Sequence, residues 1–192
     1  MKLALLLVAP RLLAVSHPIG DHPRMRIETS LGGIVVEIDA KHAPATAANF
    51  LRYVNAGRYT GGRFHRTVTM LNQPDKRIKI EVIQAGVNPS FEDQDFAPIK
   101  LERTNETGIL HLRGTISMAR DGPDTATSDF FICIGDQPSL DFGGKRNPDG
   151  QGFAAFGRVT KGMEVVKKIQ TWPSLGQALR PVVVIFSVSR ID

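Results

Sequence analysis

The sequence is short of cysteine, and its histidines are scattered, so several kinds of site are excluded. Cys133 is the only cysteine among 192 residues, so neither an intramolecular disulfide nor a CxxC metal motif can exist. The five histidines show neither HxH nor HExxH spacing, so the sequence predicts no metal site. Cys133 lies in the apolar run 130–134, where we expect a buried and unreactive thiol.

Signatures of nucleotide cofactors and of serine nucleophiles are also missing. The sequence contains neither a P-loop nor a GxSxG motif. Residues 150–155 match GxGxxA, but a polar loop precedes them and the β-branched Val159 follows. A dinucleotide fingerprint requires a strand before the glycines and a helix after them. We therefore interpret this match as a turn into a strand and expect no cofactor.

Charge of one sign is not concentrated in any segment. The chain has 24 basic and 19 acidic residues, a net charge of +5, but the two signs are interleaved and form no binding tail. We therefore expect no nucleic-acid partner. We also expect a monomer. A composition of 42% hydrophobic and 22% charged residues is typical of a soluble globular protein, and the length suits one domain.

The N-terminal segment carries the features of a signal peptide. Lys2 precedes the apolar residues 3–9, and small residues stand before a cut after Ser16. We assign residues 1–23 to a signal peptide or N-terminal extension and predict a periplasmic or secreted protein. Because Pro10 interrupts the apolar segment, an uncleaved extension on a cytoplasmic protein is the alternative. This apolar run is too short to span a bilayer, and no other stretch approaches the required length.

Alternation of apolar and polar residues predicts that most of the domain, residues 24–192, is β-structure. Met25, Ile27 and Thr29 alternate with polar neighbours, and the glycines that follow predict a hairpin. The other predicted strands are residues 34–38, 62–66, 78–84, 115–119, 129–134, 154–159 and 182–188.

Two segments show helical spacing instead. Apolar residues recur at three- and four-residue intervals between positions 45 and 56, and Gly57 follows as a C-terminal glycine. A second helix is predicted over residues 163–170, and none is predicted between residues 59 and 134. Many strands with two separated helices favour a mainly β (α+β) architecture, a closed antiparallel barrel with helices at its ends.

Several short motifs follow one another in an informative order. Phe64-His65-Arg66 is followed by the block 82–86, and Gly114–Arg120 is followed by the block 128–132. Over residues 24–192 this set resembles the cyclophilin family of peptidyl-prolyl cis-trans isomerases. The resemblance implies a closed eight-stranded antiparallel β-barrel capped by two α-helices, which agrees with the patterning. Further matches to the family are residues 43–50, 155–159 and 162–166.

The resemblance implies catalysis of rotation about X-Pro bonds in client proteins, which assists their folding, and it implies that Arg66 is the catalytic residue. Amide resonance sets a barrier of about 18–20 kcal/mol, and twisting the bond localises a lone pair on the prolyl nitrogen. A guanidinium N–H can donate to that lone pair and remains charged at any working pH. A surface ion-pair arginine is the alternative for Arg66. The expected partners are proline-containing unfolded or extended polypeptides.

The resemblance also implies the substrate-binding residues. Phe131 forms the floor of an apolar pocket for the proline ring, and Gln84 orients Arg66. Because neighbouring side chains of a strand face opposite sides, Phe130 and Phe131 are expected to point apart; a core position for both is the alternative. The other substrate-binding residues implied are Val82, Ala119, Asp129, Leu140 and Phe153.

Several positions depart from the family pattern. Glu81-Val82 replaces an aromatic-methionine pair, Arg120 an asparagine, and Asp129 a glutamine. We expect Glu81, Arg120 and Asp129 to alter activity and substrate preference, and a catalytically weak proline-peptide-binding module is the alternative function. Ser139 replaces a tryptophan that contacts the family's cyclic-peptide immunosuppressant, so weak binding of that ligand is expected. Phe153 replaces a histidine, and the longer segment Thr67–Ile80 is predicted to cover the cleft or bind a partner, or else to form a surface hairpin.

Overall fold

The computed structural model describes residues 21–191. The predicted signal segment lies outside the described residues except for positions 21–23. Nine strands and three α-helices follow one another along the described chain: β1 (Arg24–Thr29), β2 (Gly32–Ile38), α1 (Pro44–Asn55), β3 (Arg63–Val68), β4 (Val82–Gly86), α2 (Thr104–Thr107), β5 (Thr115–Met118), β6 (Phe130–Cys133), β7 (Ala154–Lys161), α3 (Met163–Gln170), β8 (Ser174–Leu175) and β9 (Ala178–Arg190).

Eight of these strands close into an antiparallel barrel, as predicted. Around the barrel their order is β1-β2-β7-β5-β6-β4-β3-β9, and β9 pairs with β1 to close it. The two-residue β8 pairs only with the start of β9. Within residues 21–191, no helix is both long and apolar enough to cross a membrane.

The two predicted helices are present and cover the barrel core. Helix α1 begins with Pro44, whose missing N–H costs nothing at that position. It ends before Gly57, whose φ of +68° is the left-handed conformation that glycine adopts most easily. Helix α3 matches the predicted bounds and packs against β2, β3 and β4. Phe50 of α1 packs into the core in one cluster of aromatic rings with Tyr59, Phe64, Phe130 and Phe156.

A third helix, α2, was not predicted. It has only four residues and lies in the region 59–134, where we expected strands and turns alone. The side chain of Glu106 accepts a hydrogen bond from the backbone N–H of Arg103 at its start, and Gly108 in the left-handed conformation ends it. Such a helix makes just one turn, so its sequence shows no hydrophobic periodicity.

Strand β4 begins four residues later than predicted. Residues 78–82 alternate apolar and charged side chains, a pattern typical of a strand. However, the side chain of Gln73 bonds both backbone groups of Ile80: its Nε2 donates to the carbonyl at 2.8 Å, and its Oε1 accepts from the N–H at 3.3 Å. Because these groups are occupied, residue 80 does not join a ladder.

The barrel register brings distant residues into one row on its outer face. In the β3–β4 ladder Arg66 lies opposite Gln84, and in the β4–β6 ladder Gln84 lies opposite Phe131. Residues opposite each other in neighbouring strands point to the same face of a sheet. Phe130 points into the barrel core instead, while Phe131 belongs to a separate apolar cluster. The two phenylalanines therefore point apart.

Candidate functional site

A cleft of about 630 Å³ opens on the outer face of strands β3 to β6. All eight predicted site residues line it, although their positions span 88 residues of sequence from 66 to 153. These residues are Arg66, Val82, Gln84, Ala119, Asp129, Phe131, Leu140 and Phe153.

Arg66 is half-buried and is held by neutral amide groups. Its Nη1 donates to Oε1 of Gln84 at 3.0 Å, while its Nε and Nη2 donate to Oε1 of Gln177 at 2.9 and 2.6 Å. Within the described chain no carboxylate lies within 4.0 Å of this guanidinium. Burial lowers the pKa of Arg66 from its ordinary value, yet an arginine remains charged in proteins. The cleft thus contains a fixed cation whose charge no contacting acid offsets.

Asp129 determines which way the Gln84 amide points. Gln84 Nε2 donates to Asp129 Oδ2 at 2.8 Å, so the amide oxygen faces Arg66. The Nε2 atom of His65 lies 3.5 Å from the same carboxylate oxygen. Burial raises the pKa of Asp129, and the Gln84 hydrogen bond and the charge of His65 oppose that rise. Asp129, which replaces the family's glutamine, therefore helps to orient Arg66 through Gln84.

Gln177 was missed by sequence reasoning. It lies between β8 and β9, and its Nε2 donates to the backbone carbonyl of Asn72 at 3.1 Å. The side chain of Asn72 in turn donates to the carbonyls of Gly176, at 3.1 Å, and Thr67, at 3.0 Å. The segment after β3 therefore fixes the turn that presents Gln177 to Arg66. The turn at Gly176 shows no sequence pattern that would predict the contact between Gln177 and Arg66.

The apolar part of the cleft is built around Phe131. Val82, Leu140 and Phe131 are buried in one cluster, against which Ala119 and Phe153 pack. The rings of Phe131 and Phe153 meet edge to face, with centroids 5.4 Å apart and planes at 89°. The cleft therefore contains an apolar pocket in which the packed rings of Phe131 and Phe153 form an aromatic wall.

A buried histidine lies behind this pocket and was also missed. The His111 ring stacks on Phe131 with centroids 5.9 Å apart and planes at 14°. Its Nδ1 lies 2.7 Å from Oδ1 of Asp141, and its Nε2 lies 3.0 Å from Oγ of Ser117. Both ring nitrogens therefore have partners, and the ring is a fixed support for Phe131. In the sequence His111 counted only as one of the dispersed histidines.

The longer segment Thr67–Ile80 forms part of the cleft wall. Ile80 lines the cleft, whereas the side chain of Leu71 at the other end is 92% exposed. Between them Gln73 is buried and ties the segment to itself through Thr69 and Ile80. The last residue of the segment is therefore part of the site, while a role of the segment as a cover, a partner-binding element or a surface hairpin stays a prediction.

Two of the departures from the family pattern do not reach the cleft. Glu81 Oε1 accepts from Nε2 of Gln170 at 3.2 Å, so this side chain faces α3. Glu81 comes just before β4 and does not line the cleft, so an effect of this residue on substrate preference would have to be indirect. Ser139 is likewise absent from the cleft lining. Arg120 does line the cleft, but Asp149 binds both its Nη atoms at 2.8 and 3.1 Å.

No group of three or more histidine, cysteine, aspartate or glutamate side chains able to hold a metal ion occurs among residues 21–191. The cleft itself offers hydrogen bonding and charge, because it places a guanidinium beside an apolar pocket. Such an arrangement can bind a small ring and place a cation next to it.

The comparisons with known proteins agree in fold and in family. The family model described as cyclophilin-type peptidyl-prolyl cis-trans isomerase matches residues 24–190. Peptidyl-prolyl cis-trans isomerase A of Dickeya dadantii is 40% identical over 144 residues, covering 74% of this chain and 68% of that protein. A peptidyl-prolyl cis-trans isomerase of Acinetobacter baylyi is 36% identical over 164 residues, covering 85% of this chain and 79% of that protein.

Among solved structures, a cyclophilin-type isomerase of Cryptosporidium parvum, crystallised in the presence of the dipeptide Ala-Pro, has a similar fold. The TM-score is 0.71 at 21% sequence identity, and the match covers 88% of this chain and 99% of that one. At this low sequence identity, the similarity shows a shared fold and nothing more.

Proposed function

The chain belongs to the cyclophilin family of peptidyl-prolyl cis-trans isomerases, and on that premise we propose that Arg66 catalyses rotation about X-Pro bonds bound in the cleft. The reaction of this family breaks no covalent bond, so it requires neither a nucleophile nor a cofactor. What a catalyst must do is bind the twisted amide more tightly than either planar form.

In this proposal the proline ring occupies the apolar pocket of Phe131, Leu140 and Val82. The prolyl nitrogen then lies towards Arg66, which the β3–β4–β6 register places in the same row as Phe131. As the bond twists, the nitrogen lone pair becomes an acceptor for a guanidinium N–H. Asp129, Phe153 and Ala119, the residue after β5, bind the flanking parts of the peptide.

The observation that carries this proposal is the way Arg66 is held. Gln84 and Gln177 fix the guanidinium through neutral oxygens, so its position is preorganised while its charge remains available. A preorganised donor does not have to reorient as the transition state forms. An arginine paired with a carboxylate, the alternative considered from sequence, would have lost much of that charge.

The test is the isomerisation of a short X-Pro peptide, followed by NMR exchange between its cis and trans signals. We expect Arg66→Ala to lower the catalysed rate by about 100-fold to 1000-fold, since removing one preorganised donor costs roughly 3–4 kcal/mol. Arg66→Lys keeps the charge but loses the bonds to both glutamines, so we expect an intermediate rate. Equal rates for wild type and Arg66→Ala, with the peptide still bound, would favour the binding module instead.

A matched control is Arg158→Ala. Arg158 is an exposed arginine whose Nη2 donates to Glu37 at 2.9 Å on strands outside the cleft. Its removal changes the net charge by the same amount as Arg66→Ala. We expect the isomerisation rate of this variant to match the wild type.

We further propose that the substrates are unfolded or extended client proteins, and that the protein acts as a monomeric folding helper outside the cytoplasm. The open cleft, which admits an extended chain from the side, supports the first part, and the signal-like residues 1–23 support the second. N-terminal sequencing of the mature protein tests export. A mature protein that begins at Met1 would point to the cytoplasm.

A further inference from the structure

A second arginine, Arg146, lies in the same cleft as Arg66. It belongs to the polar loop that follows Leu140, and its side chain reaches the segment before β4, where Nη1 donates to the carbonyl of Ile78 at 2.6 Å. Arg146 lines the cleft together with Ile80 and Leu140. Two loops that are far apart in sequence therefore place a guanidinium beside the apolar pocket.

Arg146, like Arg66, has no acidic partner among the described residues, whereas the other two arginines that line the cleft are both paired with an acid. Arg63 binds Glu92 at 2.6 Å, and Arg120 binds Asp149. In the part of the chain that the structure describes, no carboxylate lies within 4.0 Å of Arg146 or of Arg66. Both of these guanidinium groups contact only amide or carbonyl oxygens.

Two sets of like charges act on each other in the cleft. Burial lowers the pKa of Arg146, and the positive charge of Arg66 lowers that pKa further. In the second set, Asp129 lies within range of the charges of Asp95 and Glu92, both of which act to raise its pKa. Arg63 and Arg120 also line the cleft, but Glu92 and Asp149 pair with them. The positive charge that no contacting acid offsets therefore lies at Arg66 and Arg146.

We propose that Arg146 determines substrate specificity by selecting X-Pro segments that carry a carboxylate on the side of the proline facing the Arg66–Arg146 pair. This inference rests on the proposed binding of X-Pro peptides in the cleft and adds the substrate class. A bound carboxylate lies between Arg66 and Arg146 and reduces the repulsion between their positive charges. It accepts hydrogen bonds from guanidinium N–H groups that contact no acid of the described chain. The charge-assisted contact with Arg146 is stronger than one to a neutral amide.

The acidic residues of the cleft limit where this preference applies. On the opposite side of the proline a substrate carboxylate meets Asp95, Asp121 and Asp129, all of which line the cleft. His65 and Gln84 contact Asp129, and the hydroxyl of Tyr53 donates to Asp95 at 2.9 Å, so the carboxylates of Asp129 and Asp95 are held in place. We therefore expect the preference for glutamate over glutamine on one side of the proline only.

The experiment compares peptides that differ by one atom group. Glutamate or glutamine is placed in turn at each of the two positions before and the two positions after the proline, and catalysed exchange is measured by NMR, with each peptide's uncatalysed rate subtracted. At one or both positions on one side we expect kcat/KM for glutamate to exceed that for glutamine by about fivefold, the size of a favourable partly exposed ion pair. In Arg146→Gln this ratio should fall to about one, while Arg146→Lys should retain part of it.

Lys145→Gln provides the matched control. It removes one positive charge from the neighbouring position of the same loop, but Lys145 is exposed and does not line the cleft. We expect the glutamate-to-glutamine ratio of this variant to equal that of the wild type. A salt titration of the wild type tests the same point without any variant. The ratio of kcat/KM for glutamate and glutamine peptides should decline as ionic strength rises.

The possible outcomes separate the two proposals. Equal rates for glutamate and glutamine peptides at all four positions overturn the selectivity of Arg146 but leave the isomerase function standing. A ratio that survives Arg146→Gln, or that Lys145→Gln abolishes equally, also overturns it. If no peptide is turned over, both proposals fail.

Discussion

Replacing Gln177 by leucine should slow catalysis without weakening substrate binding. The side chain keeps its approximate volume but loses the oxygen that accepts hydrogen bonds from Nε and Nη2 of Arg66. Only the bond from Nη1 to Gln84 then holds the guanidinium, so it can pivot about that contact. Gln177 itself lies outside the lining of the cleft and is a positioning residue.

The magnitude follows from the hydrogen bonds that Arg66 would no longer make. Hydrogen bonds to a charged group contribute about 1.5–3 kcal/mol each, and Gln177 supplies the acceptor for two of the three bonds made by Arg66. A misplacement of about 1 Å can cost roughly 100-fold in rate. We therefore expect kcat to fall by about 10-fold to 100-fold, with KM changed by less than about twofold, because the apolar pocket that holds the proline is untouched.

The assay is the same NMR exchange experiment over a range of peptide concentrations, which separates kcat from KM. Gln170→Leu is a matched control: Gln170 is another half-buried glutamine, and its side chain bonds Glu81 away from the cleft. Asn72→Ala should give a smaller loss than Gln177→Leu, since Asn72 fixes the turn through the carbonyl of Gly176. A kcat unchanged by Gln177→Leu, or lowered equally by Gln170→Leu, would refute the reasoning.

Further expectations concern stability. Burial raises the pKa of Asp129 above its ordinary value, so its contribution to folding is full below the ordinary pKa and is lost as the pH rises through the raised one. Asp129→Asn should remove this pH dependence, and urea unfolding from pH 3 to 8 would contradict the assignment if both curves had the same slope. Gly157→Ala should lower the free energy of unfolding by about 1–3 kcal/mol, because a Cβ there would lie 2.3 Å from the carbonyl oxygen of Glu37. Gly122→Ala, where the nearest atom is 3.9 Å away, is the control, and an equal loss in both variants would contradict the steric argument.

The fold was accessible from sequence because its signals are local. Alternation and helical spacing depend on near neighbours, so they located most of the strands and both longer helices. The prediction failed at residues 78–81, where the alternation is strand-like but the Gln73 side chain occupies the backbone groups of Ile80. It also failed at α2, whose four residues are too few to show a period.

The site was predictable only as far as its residues lie in ordered motifs. Arg66, Gln84 and Phe131 fall within such blocks, and the strand register then brings them together. Gln177 is 111 residues from Arg66 in sequence, and Arg146 is 68 residues from Ile78. Both are polar residues in turns or loops, where no hydrophobic period exists, so only the folded chain reveals their contacts.

Closure of the barrel by β1 and β9 determines how the domain can be attached to something else. Met25 pairs with Arg190, and the N–H of Ile191 donates to the carbonyl of Arg24 at 3.0 Å, so the chain enters and leaves the barrel side by side. Counting around the eight strands, β1 stands four places from β6 in either direction, diametrically across from the strand that carries Phe131. A tether, a surface or a fused domain joined at either chain end of the barrel therefore attaches on the side opposite the cleft. The cleft then faces away from the attached group and stays accessible to a substrate polypeptide.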